Sequence, residues 1–480
     1  MAIEFNQIVI SNLPFIQAEI SKRINTSGSV KQEYTCLIIG QKTSIGTANP
    51  EAIYDIFSTQ EAIAKFGANS MLSRAVDGYL KSNKSVKLKV VALDDLAIGT
   101  QATGTLTISG TSTSAGTISF YIDGRFYRVP VSVGDTEVQI ATILNNVINA
   151  DETSLVTSSF ALGVVTITSV HKGTFGNSLK MMMNYNSDEV TPAGITTSIV
   201  DMSSGSGDPD LTNFVVPLLE ENQYNLIAQP YTDNANLILM KDALTDNFLA
   251  TQMLDSLVLF SKEDTVTNMI TKIEAINSPF IHSEDGANSF INPLEFLSIT
   301  MGYVSDIAQN NPGAGYLNVE LKGILALPQR IRTERNVLAG SGVSTFKTNG
   351  TSVIIEKMVS TYTKDAQGIS DDAFRELRTI LTLSYVRHSF IVRMAQFQNF
   401  KLGNDEDTFG TGARVMTPNL YAENLTFVYQ QLIDDAVCEN LALFEESLIT
   451  EKVGNRINSR FSINLINILE QQAMSIEFQL

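Results

Sequence analysis

The sequence predicts an α/β (α+β) core domain, interrupted by an inserted β-rich domain and flanked by extended N- and C-terminal β-strand arms. Three observations carry this expectation. Residues 31–96 run strand, helix, helix, strand. From 97 to 204 the composition shifts to Thr, Ser and Gly, and the α/β rhythm resumes afterwards. Near both ends, short segments rich in apolar residues have the spacing of half-buried strands.

The elements follow in order. Residues 1–30 read as a linker arm whose apolar residues are Phe5, Ile8, Val9 and Ile10; Pro14, Asn25, Ser27 and Gly28 break it before a domain can form. The first part of the core, 31–96, opens with a buried strand at 34–39 that stops at Gly40. Helices near 58–66 and 69–82 and a strand at 86–93 complete it. The insertion, 97–204, holds strands at 105–108, 117–122 and 164–168 and a helix near 136–149. Asp123-Gly124 is its hairpin turn, because such turns need positive φ. It closes in a small-residue linker at 203–207, so it is expected to be peripheral and dispensable for the core fold.

The second part of the core, 205–455, has buried strands at 225–228 and 257–260 and helices near 233–248, 264–276 and 293–309. A strand pair is expected at 353–355 and 358–362. Phe374, Leu377, Leu381, Ser384, His388, Ile391 and Ala395 step by three and four, the stripe of a long helix. After a polar loop at 403–412, residues 421–448 are helical with a change of phase. Leu425, Val428, Leu432 and Ala436 share one face; Val437, Leu441, Phe444 and Leu448 share another, which implies two helices or a bend. Residues 456–480 form the second arm. There Ile476, Phe478 and Leu480 point one way and Ser475, Glu477 and Gln479 the other, a final strand whose apolar face needs a partner surface. Gly454-Asn455 and Ser27-Gly28 read as flexible connections to the arms.

Composition narrows the function. A chain of 480 residues with 44% hydrophobic and 18% charged residues can bury a sizeable core. A net charge of −18 argues against a nucleic-acid surface, and no apolar run suits a membrane anchor or a secretory leader. Cys36 and Cys438 lie far apart and read as buried thiols of a reducing compartment.

Chemistry-bearing motifs are weak. The Gly40–Gly46 loop follows a strand but lacks GxxxxGK[ST] and the dinucleotide fingerprint. His171, His282 and His388 lack metal-ligand spacing, and His388 sits on the apolar stripe of its helix. Acidic pairs such as Asp94-Asp95, Asp371-Asp372 and Asp434-Asp435 suit solvated or helix-capping roles. Gly340-Ser341-Gly342 is not a nucleophile elbow. The expectation is a non-enzymatic chain that needs no cofactor and no metal.

Several motifs then converge. Residues 334–345 (ERNVLAGSGVST) and 353–362 (VIIEKMVSTY) occur in order with Leu381-Thr382-Leu383-Ser384-Tyr385-Val386-Arg387 and Val415-Met416-Thr417-Pro418. The ending Ile476-Glu477-Phe478-Gln479-Leu480 and, in the insertion, His171-Lys172-Gly173 and Gly176-Asn177 extend the series. Together they resemble the tail sheath proteins of Mu-like contractile-tailed phages over nearly the whole chain. The family often carries a Trp after the Thr-Pro lead-in, and this chain has none.

The resemblance implies a structural subunit of a contractile sheath in the virion tail, assembled in the bacterial host cytoplasm. Homo-oligomeric hexameric rings would stack as a helical sleeve around a tail tube protein, between baseplate and tail terminator proteins. Contraction would drive the tube through the host envelope for genome ejection, with neither nucleic acid nor membrane anchoring as a partner. The terminal arms would add strands to sheets of neighbouring subunits. By the same analogy the helical region around 419–448, with Glu423, Asp434, Asp435, Glu439, Glu445 and Glu446, is the candidate tube-facing surface. The sheath of a headless contractile bacteriocin or injection system is the near alternative. A nucleotide-binding α/β enzyme and a surface adhesin are alternatives of other classes.

Overall fold

The structure is a computed structural model, and it describes residues 32–410 and 413–479. The expected arm residues Phe5, Ile8, Val9 and Ile10, and the terminal Leu480, lie outside the described residues. The chain divides into two compact units, one built on Lys31–His388 with Leu465–Leu480 and the other on Ser389–Asn464.

The larger unit is organised by a nine-stranded mixed sheet. Its order is Glu320–Leu321, Ser352–Lys357, Val343–Asn349, Ile281–Asp285, Leu257–Lys262, Leu226–Ala228, Thr35–Gln41, Lys87–Leu93 and Ile53–Asp55. From Val343–Asn349 to Lys87–Leu93 the neighbours are parallel, and both flanks are antiparallel. Parallel strands need crossovers and are covered on both faces. That is why Cys36, Leu37, Ile38 and Ile39 form an unbroken apolar run and are fully buried. Helix Met71–Ser82 packs on Pro293–Asn310, while Asn234–Phe248, Val266–Ile276 and Arg332–Gly340 pack in series. Gly40 lies under the first pair, where a Cβ would stand 2.9 Å from Leu294 Cδ2. Cys36 and Cys438 are both buried free thiols, and burial pushes Cys36 up to about 11.

Residues 101–203 hold two further sheets whose strands pair only with one another among the described residues. One has the order Ile195–Ser203, Gln101–Gly110, Val164–Lys172, Val156–Ala161; the other Arg125–Val131, Gly116–Ile122, Met181–Met183. Helix Glu137–Ala150 packs on strands of both and starts with a capping box from Thr136 and Gln139. Asp123 and Gly124 turn the Gly116–Ile122 hairpin at φ 49 and 73, as a two-residue turn with two positive φ values requires. The two ends of the module lie side by side: Thr100 N–H donates to Ser206 O at 2.8 Å, and Ser206 N–H donates back at 3.2 Å. The stretch around 203–207 is thus paired backbone rather than a free linker. One continuous hydrophobic core runs from the α/β body into the module and includes Phe120 and Ile122.

Other expectations are corrected. The hairpin pairs Val343–Asn349 with Ser352–Lys357, and residues 358–362 form no strand. Ser344 and Thr345, both buried, mask that strand as polar sequence. Gly454-Asn455 is the two-residue turn of the hairpin Ile449–Val453/Arg456–Arg460, held by register pairing at Val453↔Arg456, so it is no loose hinge.

The smaller unit packs helix Pro418–Asp434 and helix Leu441–Ser447 around an aromatic cluster. Tyr429 stacks on Phe444 at 4.1 Å, and Phe461 lies 5.1 Å from Phe444 and 4.9 Å from Phe390. The phase change in the apolar stripe has a backbone cause. Ala436 (φ 55) and Asn440 (φ 63) are left-handed, and Asn440 caps the second helix by accepting from Leu443 N–H.

Candidate functional site

The loop that a nucleotide would need is closed. Lys42 N–H, Thr43 N–H and Gly46 N–H donate to Leu93 O, Phe66 O and Thr43 O. The Lys42 ammonium pairs with Asp94 at 2.8 Å. The nearby helix start at Met71 is also taken: its N–H donates to His171 Nε2 at 3.0 Å, while His171 Nδ1 faces Asp95 Oδ1 at 3.2 Å. A phosphate cradle needs free N–H groups at such a place, and here His171 of strand Val164–Lys172 occupies it.

The other histidines are structural as well. His282 is buried on the sheet with Nδ1 3.0 Å from Val359 O, and burial lowers its pKa to about 4. His388 is half-buried, and burial lowers its pKa also. Among the described residues no group of three or more His, Cys, Asp or Glu is arranged to hold a metal ion, and no helix is long and apolar enough to cross a membrane.

What the fold does present is unpartnered backbone and apolar side chains. Arg378 Nη1 donates to Ile466 O at 3.0 Å, and Lys357 pairs with Glu470, so the returning chain is fastened to the larger unit as far as residue 470. Beyond that point the expected final strand is absent. Residues 474–479 pair with nothing among the described residues, and Met474, Ile476 and Phe478 are 83%, 85% and 80% exposed. The physical reason is that an extended segment becomes a strand only against an edge that accepts its hydrogen bonds. In the smaller unit such an edge has no partner strand among the described residues. The hairpin Ile449–Val453/Arg456–Arg460 is a two-stranded sheet, mostly exposed on both faces. Isolated hairpins are marginal in water. This one is anchored near its base by Thr450 Oγ1 donating to Pro418 O and near its turn by Lys452 Nζ donating to Asn404 Oδ1.

The acidic candidates are only partly gathered. Glu423, Phe427, Gln430 and Asp434 lie on one stripe of Pro418–Asp434, all outside its buried face. Glu423 and Asp434 are about 16 Å apart along it at roughly 1.5 Å per residue. Asp434 accepts from Gln430 Nε2, and Asp435 ends the helix. Glu439 follows in the turn, accepting from Asn464 Nδ2 at 3.2 Å. Glu445 and Glu446 are exposed on the next helix. Sequence reasoning missed the apolar members of this surface: Leu420, Phe427 and Leu443 are 39%, 43% and 40% exposed. The Arg393 guanidinium lies 5.1 Å from the Phe427 ring centroid. For Leu420 and Phe427 the helical spacing from Glu423 is the available signal; Leu443 lies on the next helix.

No protein-family model matches the chain. The tail sheath protein of the Mu-like prophage FluMu, from Haemophilus influenzae, is 29% identical over 489 aligned residues, covering all of both chains. A crystal structure of the sheath tail protein from Desulfitobacterium hafniense superposes with a TM-score of 0.51 at 12% identity, covering 95% of this chain and 97% of that one. The resemblance carried by the ordered motifs is borne out: along its whole length this chain is similar to a Mu-like prophage tail sheath protein, and it shares the fold of a tail sheath protein.

Proposed function

We propose that this chain is the non-enzymatic structural subunit of a contractile phage tail sheath. It polymerises as a helical sleeve around the tail tube and contracts to drive the tube through the host envelope. The observation that carries this reading is the presence, in one chain, of an exposed alternating segment, with Ile476 and Phe478 bare, and of an exposed hairpin whose two edges have no partner strand among the described residues. The segment of one copy adds to the hairpin of the next by β-augmentation, together with the N-terminal arm around Phe5, Ile8, Val9 and Ile10. Such a contact joins different surfaces of successive copies, and head-to-tail contacts build helices when the rotation does not close. Burial of Ile476 and Phe478 contributes about 1.5–3 kcal/mol each before ordering costs.

In this reading the Glu423–Glu446 surface faces the tube, with baseplate and terminator proteins at the two ends of the sleeve. The assembly forms in the host cytoplasm and resides in the virion tail. Electron microscopy of the purified chain in negative stain tests the proposal. Tubes or stacked rings are expected; uniform single particles at every concentration would overturn it.

A further inference from the structure

We propose that the Asp123-Gly124 hairpin tip is a proton-linked latch: a single proton held among Asp123, Glu295 and Arg74 fastens the inserted module to the α/β body, and its loss loosens that docking. The turn does not explain the acid. Asn-Gly serves a turn with two positive φ values at least as well as Asp-Gly. The surroundings do explain it.

Helix Met71–Ser82 brings Arg74, whose Nη2 lies 2.7 Å from Glu295 Oε2 and 3.6 Å from Asp123 Oδ2. Glu295 stands in the first turn of Pro293–Asn310, and Asn292 Nδ2 reaches both carboxylates at 3.1 Å. Asp123 N–H donates to Lys180 O at 2.9 Å. Asp123 Oδ1 is buried without a partner. Gly124, next in the turn, lies against Ile291, where a Cβ would stand 2.8 Å from Cγ2.

Two ionised carboxylates against one guanidinium would leave a net negative charge out of reach of water, a costly arrangement. Paired carboxyl groups in one site resolve this by keeping a proton. The unpartnered Oδ1 is where it fits. Burial first, then the Glu295 charge, raise Asp123 to about 7, against the pull of Arg74. Other charged groups nearby are turned elsewhere. Tyr127 on the partner strand and Arg125 both reach Asp151, and the Lys180 ammonium pairs with Glu263.

The folded-state value lies above the ordinary 3.8. Between the two, the folded chain binds the extra proton and the unfolded chain does not. Stability contributed by this group is therefore full below the lower value and is lost as pH rises toward about 7.

The test uses the full chain and Asp123→Asn, which keeps the turn and mimics the protonated state. Thermal melts and intrinsic-rate-corrected hydrogen exchange over residues 116–131 are followed between about pH 5 and 9. Wild type should lose protection in these strands as pH rises toward about 7 and change little above it, while the variant holds its protection. Parallel profiles would overturn the latch. Failure of Asp123→Asn to fold would overturn it too, because a neutral side chain should leave the latch closed. Glu295→Gln supplies an independent arm: with one competing charge removed, the wild-type transition should move to lower pH, and an unmoved midpoint would count against the proposal.

Discussion

The strand Ile281–Asp285 and the segment 474–479 are opposites. The first reads Ile-His-Ser-Glu-Asp, and every residue of it is buried. The second alternates Ile476 and Phe478 with polar residues and stands in solvent. The polar strand has a neighbour on each side, Leu257–Lys262 and Val343–Asn349. Two of its side chains also find partners: Asp285 takes Arg330 at 2.9 Å, and His282 Nδ1 lies 3.0 Å from Val359 O, while both Glu284 carboxyl oxygens are buried without a hydrogen bond among the described residues. The apolar segment pairs with no strand among the described residues. Burial in this molecule is thus decided by available edges as much as by side-chain polarity. A polar strand can be held inside by its neighbours, and an apolar segment can stay exposed.

The sharpest way to break this comparison is at the segment. Deleting residues 474–480 should abolish assembly and leave the subunit folded, since residues 474–479 are all exposed. Phe478→Asp should act alike, because burying an unpaired carboxylate in the augmented sheet costs several kcal/mol. Sedimentation against circular dichroism reads the outcome. Joint loss of assembly and secondary structure would place the segment in its own subunit's core.

The same contrast explains what could be read from sequence. The strands at Thr35–Gln41, Lys87–Leu93 and Leu257–Lys262 and the helices Met71–Ser82, Asn234–Phe248 and Pro293–Asn310 announce themselves, because burial on one or both faces requires apolar periodicity. Ile281–Asp285 does not. Its polar side chains are tolerated by partners hundreds of atoms away in sequence terms, such as Val359 and Arg330, which no local window contains. Ile53–Asp55 is a three-residue edge too short to carry a pattern. Of the candidate assembly surface, the alternation at Ile476 and Phe478 and the exposed acids were legible. The exposed hairpin was not: Arg456–Arg460 reads Arg-Ile-Asn-Ser-Arg, which looks like linker.

At the buried strand the expected effect is smaller. Glu284 is fully enclosed, and burial holds its pKa well above the usual carboxylate range. The folded state therefore keeps a proton that the unfolded chain releases. Its contribution is full at low pH and falls as pH rises above the ordinary carboxylate value. Glu284→Gln should remove that decline and stabilise the protein by about 1–3 kcal/mol at neutral pH. Urea unfolding of both chains at acidic and neutral pH measures it. An equal gap at both values would mean that Glu284 is ionised in place.

Charge on the helical surface should matter less for folding than for partnership. Asp434→Lys with Asp435→Lys should weaken co-assembly with the tube protein and leave sheath–sheath contacts intact. The loss should be largest at low salt, where exposed charges act over about 10 Å or more. Exposed Leu420, Phe427 and Leu443 should sustain a salt-resistant remainder. Unchanged co-assembly at low salt would remove this face from the tube contact.

The smallest effect is expected one residue from the largest. Glu477 lies between Ile476 and Phe478, and in an extended chain it points to the opposite face. If a neighbouring hairpin accepts this segment, Phe478 enters the covered face and Glu477 stays in water. Glu477→Gln should then shift assembly by less than about 0.5 kcal/mol, the usual range for exposed substitutions. Comparing the concentration at which tubes first form for Glu477→Gln and Phe478→Asp makes the two faces of one strand into an internal control. Equal losses from both would mean that the segment does not join as a strand with alternating faces, and the augmentation reading would go with it.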